Sequence, residues 1–144
     1  MILVDANLLL YAYNAAATEH AVARPWLERS LSGTSRVGVP WHSILAFVRL
    51  ASNPVVFRQP ITPAAAWQVA RGWLRRENVW IPAPGASHAE ILTSLIDARV
   101  TSRMVPDAHL AALAIEHGLT LCSTDADFAR FPGLRWHNPL SANQ

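Results

Sequence analysis

The chain opens on a run with no polar position. Residues 2–4 are Ile-Leu-Val and predict a short strand buried on both faces. The run stops at Asp5, and after Asn7 an apolar pattern resumes over residues 8–13 that suits a helix, so one carboxylate stands where a strand gives way to a helix. Residues 18–31 predict a second helix with Trp26, Leu27 and Leu31 as its apolar stripe, and Pro25 as a kink or a new start. A turn over residues 33–36 leads to a second strand, 37–39, closed by Pro40. Helical spacing returns at Ile44, Phe47, Val48 and Ala51 and stops before Ser52-Asn53-Pro54. Residues 55–61 read as a loop. Thr62 then predicts an N-cap with Pro63 at the first helical position, and Trp67, Ala70 and Leu74 carry that helix toward Arg76.

The second half repeats the alternation. Residues 79–81 predict a third strand, ended by Pro82-Ala83-Pro84-Gly85. Ser87 and Glu90 have the spacing of a capping box, and Ile91, Leu92, Leu95, Ile96 and Val100 form the buried stripe that follows. Pro106 and Asp107 fall in the first turn of a helix that runs past His109 and ends at Gly118. Residues 120–122 predict a fourth strand, and the segment around Arg135-Trp136-His137 a fifth at the sheet edge. Strands separated by helices imply an α/β fold with a mostly parallel sheet covered on both faces.

Composition narrows the function. Residues 1–144 are expected to form one domain with a real core. Half the chain is hydrophobic (51%) and only 15% charged, so a partner is expected to cover part of the surface. The apolar runs fall short of the ~20 residues needed to span a bilayer, no signal-like segment precedes the first strand, and Cys122 has no second cysteine to pair with. A cytoplasmic location without membrane association is the resulting expectation. All twelve basic residues are arginine. The absence of lysine excludes a P-loop lysine and a Schiff-base lysine, while the net charge of +2 is compatible with nucleic acid.

Four acids share one structural description. Asp5 ends the first strand, Asp107 opens a helix after Pro106, and Asp125 and Asp127 follow the fourth strand. In a parallel sheet, strand ends and helix starts lie on one side, so these carboxylates can meet in one crevice. Together they would oppose one another's ionisation unless a hard cation, Mg²⁺ or Mn²⁺, lay between them. Each has a structural alternative: Asp107 as a first-turn residue favoured by the helix dipole, Asp125 and Asp127 as turn-formers. Glu90 reads as a cap, and Asp97, Glu19, Glu28, Glu77 and Glu116 as solvated helix faces.

The segments Val4-Asp5-Ala6-Asn7, Val105-Pro106-Asp107-Ala108-His109-Leu110-Ala111 and Thr124-Asp125-Ala126-Asp127-Phe128 resemble those of PIN-domain ribonucleases, and more narrowly the VapC-type toxins of bacterial toxin–antitoxin pairs. The resemblance extends over essentially the whole chain and implies a PIN-like three-layer α/β/α sandwich with four to five strands. It implies a Mg²⁺- or Mn²⁺-dependent endoribonuclease that leaves 3′-hydroxyl and 5′-phosphate ends. Asp5, Asp107, Asp125 and Asp127 become catalytic metal ligands, supported by Asn7 and Thr124. The implied partners are RNA, a cognate antitoxin and a second copy of the chain in a homodimer. One position departs from the pattern: the glutamate such proteins usually carry six residues beyond a proline like Pro40 falls on Ala46. His42, one turn earlier on the same face, is a candidate to orient a water or phosphate, with a core or surface role as its alternative. Trp41 is a candidate to stack on a base, and Arg49, Arg99 and Arg103 to line an RNA path. Two other readings use the same residues: a catalytically weakened PIN-fold interaction module, and a Mg-dependent small-molecule phosphatase. The phosphatase lacks support at Asp5-Ala6-Asn7, where asparagine stands in place of its second aspartate.

Overall fold

The computed structural model describes residues 1–142. Five strands alternate with six α-helices: β1 (Ile2–Val4), α1 (Ala6–Tyr13), α2 (His20–Ser32), β2 (Val37–Gly38), α3 (Trp41–Ala51), α4 (Pro63–Leu74), β3 (Val79–Trp80), α5 (His88–Leu95), α6 (Val105–Glu116), β4 (Thr120–Cys122) and β5 (Trp136–His137). Short 3-10 turns precede α6 at Ser102–Met104 and follow β4 at Ala126–Arg130. The sheet order is β3-β2-β1-β4-β5, and all four pairings are parallel. The first strand is therefore the middle one. The chain winds outward from it to β3, then crosses back to lay β4 on its other side, so the order reverses at β1.

Alternation within β1 divides the core. Val4 packs into one layer with Leu8, Leu9, Leu27, Ile44 and Phe47, from α1, α2 and α3. Its neighbour Leu3 faces the opposite layer, with Leu95, Leu110, Leu113 and Phe128. Successive side chains of a strand point to opposite faces, so three residues anchor two hydrophobic cores and the helices close a three-layer sandwich. Phe47 is fully buried, edge-on to Tyr13 at 5.7 Å and to Trp73 at 4.7 Å.

Several local expectations change. α2 runs unbroken through Pro25. α3 begins at Trp41, three residues before its apolar stripe, and α4 ends at Leu74, short of Arg76. Thr62 caps α4 as expected, accepting from the Ala65 N–H at 3.1 Å. The box at α5 does not form: Ser87 makes no side-chain capping bond. Glu116 supplies the cap instead, one oxygen accepting from Gly85 N–H at 3.0 Å and the other from Ser87 N–H at 3.1 Å. Its side chain is 10% exposed, so it is not a solvated helix face. The stripe also stops at Leu95, where the helix ends, leaving Ile96 44% exposed. Gly118 ends α6 with φ +66°, a conformation that a side chain disfavours.

Candidate active site

The register of β1 against β4 builds the centre of the site. Val4 pairs with Cys122, and Asp5 N–H donates to the Cys122 carbonyl at 3.1 Å, which brings Ser123 beside Asp5. Ser123 is fully buried and its hydroxyl donates to Asp5 Oδ2 at 2.7 Å. Ser123 Oγ in turn accepts from Asn7 Nδ2 at 3.0 Å and from Asp125 N–H at 3.1 Å. One hydroxyl therefore ties together the end of the central strand, the first turn of α1 and the loop after β4. Asp5 Oδ1 meanwhile accepts from Ala6 N–H at 2.7 Å and caps α1.

Asp107 enters from α6, whose N-terminus lies at the carboxyl edge of the sheet because the helix runs back to feed β4. Burial and then the nearby charges of Asp125, Asp5 and Asp127 raise its pKa to about 6, with Arg103 opposing. Burial likewise raises Asp5, offset by the Ser123 and Ala6 hydrogen bonds and by His42, while Asp125 adds to the rise. Asp107 thus lies within electrostatic reach of the other three acids, as the parallel topology predicts. Asp125 also has its structural role: its Oδ1 accepts from Asp127 N–H at 2.9 Å at the start of the 3-10 turn.

The other candidates separate. His42 opens α3 close enough to act electrostatically on Asp5. Trp41 beside it is 48% exposed and lies parallel to Trp67, with ring centroids 6.3 Å apart. Arg103 reaches Asp127 at 3.6 Å at the crevice edge, and Arg130 approaches the same carboxylate at 3.8 Å. Arg99 is instead paired with Asp97 at 2.7 Å. Arg49 sits two turns beyond His42 in the last turn of α3, ~10 Å along the helix axis. Thr124 is half-buried and makes no side-chain hydrogen bond among the described residues; the hydroxyl among the acids is that of Ser123. Only the β1–β4 register reveals it: continued by one residue, that register sets Asp5 opposite Ser123.

The donor set is all oxygen, which suits a hard divalent cation. Asn7 Oδ1 is buried at this centre without a hydrogen-bond partner, which leaves an acceptor for a cation or its water. Among the described residues no three His, Cys, Asp or Glu side chains stand at the spacing that holds an ion.

Comparison with known proteins places the chain. Residues 2–134 match the PIN domain. Ribonuclease VapC37 of Mycobacterium tuberculosis is 43% identical over 140 residues, covering 96% of this chain and 97% of the relative. Ribonuclease VapC33 of the same species is 36% identical, covering 97% and 99%. The crystal structure of VapBC2 from Rickettsia felis bound to a promoter DNA fragment superposes with a TM-score of 0.63 at 16% identity, covering 96% of this chain and 98% of that one. The sheet order, the acids gathered at its central strand and this identity over nearly the full length agree: the chain belongs to the PIN-domain family, with the VapC ribonucleases among its relatives.

Proposed function

We propose that the chain is a divalent-metal-dependent endoribonuclease, folded as one PIN-like domain over residues 1–144, and the toxin of a toxin–antitoxin pair. The observation that carries this reading is the coupling of Asp107 to Asp5, Asp125 and Asp127, four acids from three distant segments, at the carboxyl end of the middle strand. Their near-complete relatives are named ribonucleases, which favours RNA over a small ester.

Asp5, Asp107, Asp125 and Asp127 would hold Mg²⁺ or Mn²⁺, with Asn7 turned toward the site by Ser123. A cation bound there supplies Lewis acidity at a phosphoryl oxygen and lowers the pKa of a bound water. Ser123 and the Ala6 N–H each hold one oxygen of the Asp5 carboxylate and so fix its direction. Arg103, 86% exposed in its side chain and drawn to Asp127, offers the crevice edge a guanidinium for the RNA backbone. The exposed Trp41 offers a face for an unstacked base, and His42 a donor for a phosphate oxygen. A cognate antitoxin is proposed as partner from the likeness to VapBC2. A homodimer fits the exposed Trp41, Leu45, Val55 and Val56; a monomeric mass by light scattering would count against it. No described helix is long and apolar enough to cross a membrane, consistent with a proposed cytoplasmic site of action.

The test is end-mapped cleavage of total RNA by antitoxin-free protein with Mg²⁺ or Mn²⁺ and with EDTA, beside Asp5→Asn. Asparagine keeps the oxygen that caps α1, so the variant is expected to fold and, without the carboxylate charge that would hold the cation, to lose most of its cleavage. Discrete metal-dependent cuts absent from Asp5→Asn support the reading, and wild-type-like cutting by the variant overturns it. A second reading, a weakened interaction module, is favoured by Ala46 standing where such proteins usually carry glutamate; folded protein that binds an antitoxin and cuts nothing would select it.

A further inference from the structure

Beside the acids lies a second polar chain that the proposed chemistry does not use. Glu116, at the end of α6, is held below the usual carboxylate range by the N–H groups of Gly85 and then Ser87, so it is an ionised acceptor. His88, at the start of α5 and 8% exposed, places Nδ1 3.4 Å from Glu116 Oε2 without a hydrogen-bond partner in good alignment. Its Nε2 lies 3.1 Å from His109 Nδ1. The His109 ring is 5.0 Å from that of His88 and 6.1 Å from that of His42.

Elementary hydrogen-bond accounting gives this chain a direction. A bare Nδ1 lone pair facing a carboxylate in a buried site is repulsive, so the His88 proton belongs on Nδ1. With its proton on Nδ1, His88 presents Nε2 as an acceptor. The 3.1 Å contact needs one proton, and it must come from His109 Nδ1–H. His109 Nε2 is left as an acceptor, and the ring beyond His109 in the other direction is His42, the residue that acts on Asp5.

We propose that Glu116, His88 and His109 form a one-way hydrogen-bond relay that locks His109 in its Nδ1–H tautomer and, through it, positions His42 at the wall of the carboxylate crevice. The relay makes these three positioning residues, not catalytic ones. Its effect on turnover rests on the endoribonuclease reading above; the tautomer and the response of His42 do not.

The test is long-range ¹H–¹⁵N correlation spectroscopy of the histidine rings in the full-length, metal-free protein at pH 7.5. His88 and His109 are both expected to carry their proton on Nδ1. In His88→Phe, which keeps a ring of similar size but no nitrogen, His109 is expected to leave that locked form and the His42 ring resonances to move. The kcat of metal-dependent RNA cleavage is expected to fall about tenfold, a usual loss on removing an orienting partner, with KM within about twofold. His109 carrying its proton on Nε2 in the wild type would reverse the relay and overturn the proposal. Unmoved His42 resonances in His88→Phe would remove its positioning role. Should that variant not fold, the wild-type spectrum still decides the tautomer, and His109→Phe reads the response of His42. A wild type that shows the tautomer and the His42 response yet cuts no RNA would overturn the nuclease reading and leave the relay standing.

Discussion

Asp107 states the electrostatic cost of the site most directly. Its pKa of about 6 in the folded chain exceeds the ordinary 3.8 of an aspartate. Between those values the folded state binds more protons than the unfolded one, so the contribution of Asp107 to stability declines as pH rises through this window and stays low above it. Asp107→Asn removes the repelled charge. After discounting for the solvent that reaches a half-buried group, and for the lost helix-dipole interaction, a gain of about 1 kcal/mol remains at pH 7.5, or roughly 3 °C in Tm. The gain is expected in metal-free protein and should vanish near pH 4, where the wild-type carboxyl is protonated too. Thermal melts at the two pH values check this; a variant less stable than wild type at pH 7.5 would show that Asp107 is held by favourable contacts instead.

At the scale of elements, the start of α5 shows what local spacing can and cannot reveal. Ser87 and Glu90 satisfy the capping-box pattern, but Ser87 sits at φ −91° and ψ −5°, a helical conformation from which its hydroxyl makes no cap. The two N–H groups are met from 29 and 31 residues away by Glu116. Ser87→Ala is therefore expected to leave Tm within about 1 °C, the range of a surface change that touches no special feature. Glu116→Ala should lower it measurably by leaving the Gly85 and Ser87 donors unmet. Equal losses in both would restore the local box. Local signals succeeded where the partners are near in sequence, as with Thr62 accepting from Ala65 or Gly118 ending α6. They failed where packing chose the partner: Glu116, His88 and His109 come from two helices that only the folded chain brings together, and no periodicity marks them.

For the whole molecule, the convergence of the acids was legible because it follows from topology alone. A parallel sheet places every strand end on one side, and β1, flanked by β2 and β4, places Asp5 where the strand order reverses. Ser123 needed the register as well, which the sequence does not print. Since Asp5 stands about a hundred residues before the other acids in the chain, a cation that joins them binds the folded chain and has no equivalent site in the unfolded one. Such binding must raise stability, by roughly 2.7 kcal/mol at a hundredfold excess over Kd, so Mg²⁺ or Mn²⁺ is expected to raise Tm by several degrees in a concentration-dependent way. Asp5→Asn should flatten that response. Ala46→Glu, one turn beyond His42 on α3, adds a carboxylate on the helix face that carries His42; if that face meets the crevice, it should lower Tm without cation and move the cation midpoint to lower concentration. Melts of the three proteins across a cation series, with no RNA present, decide it. An unchanged midpoint in Ala46→Glu would show that this face of α3 does not reach the acids, and an unchanged response in Asp5→Asn would place the bound cation elsewhere.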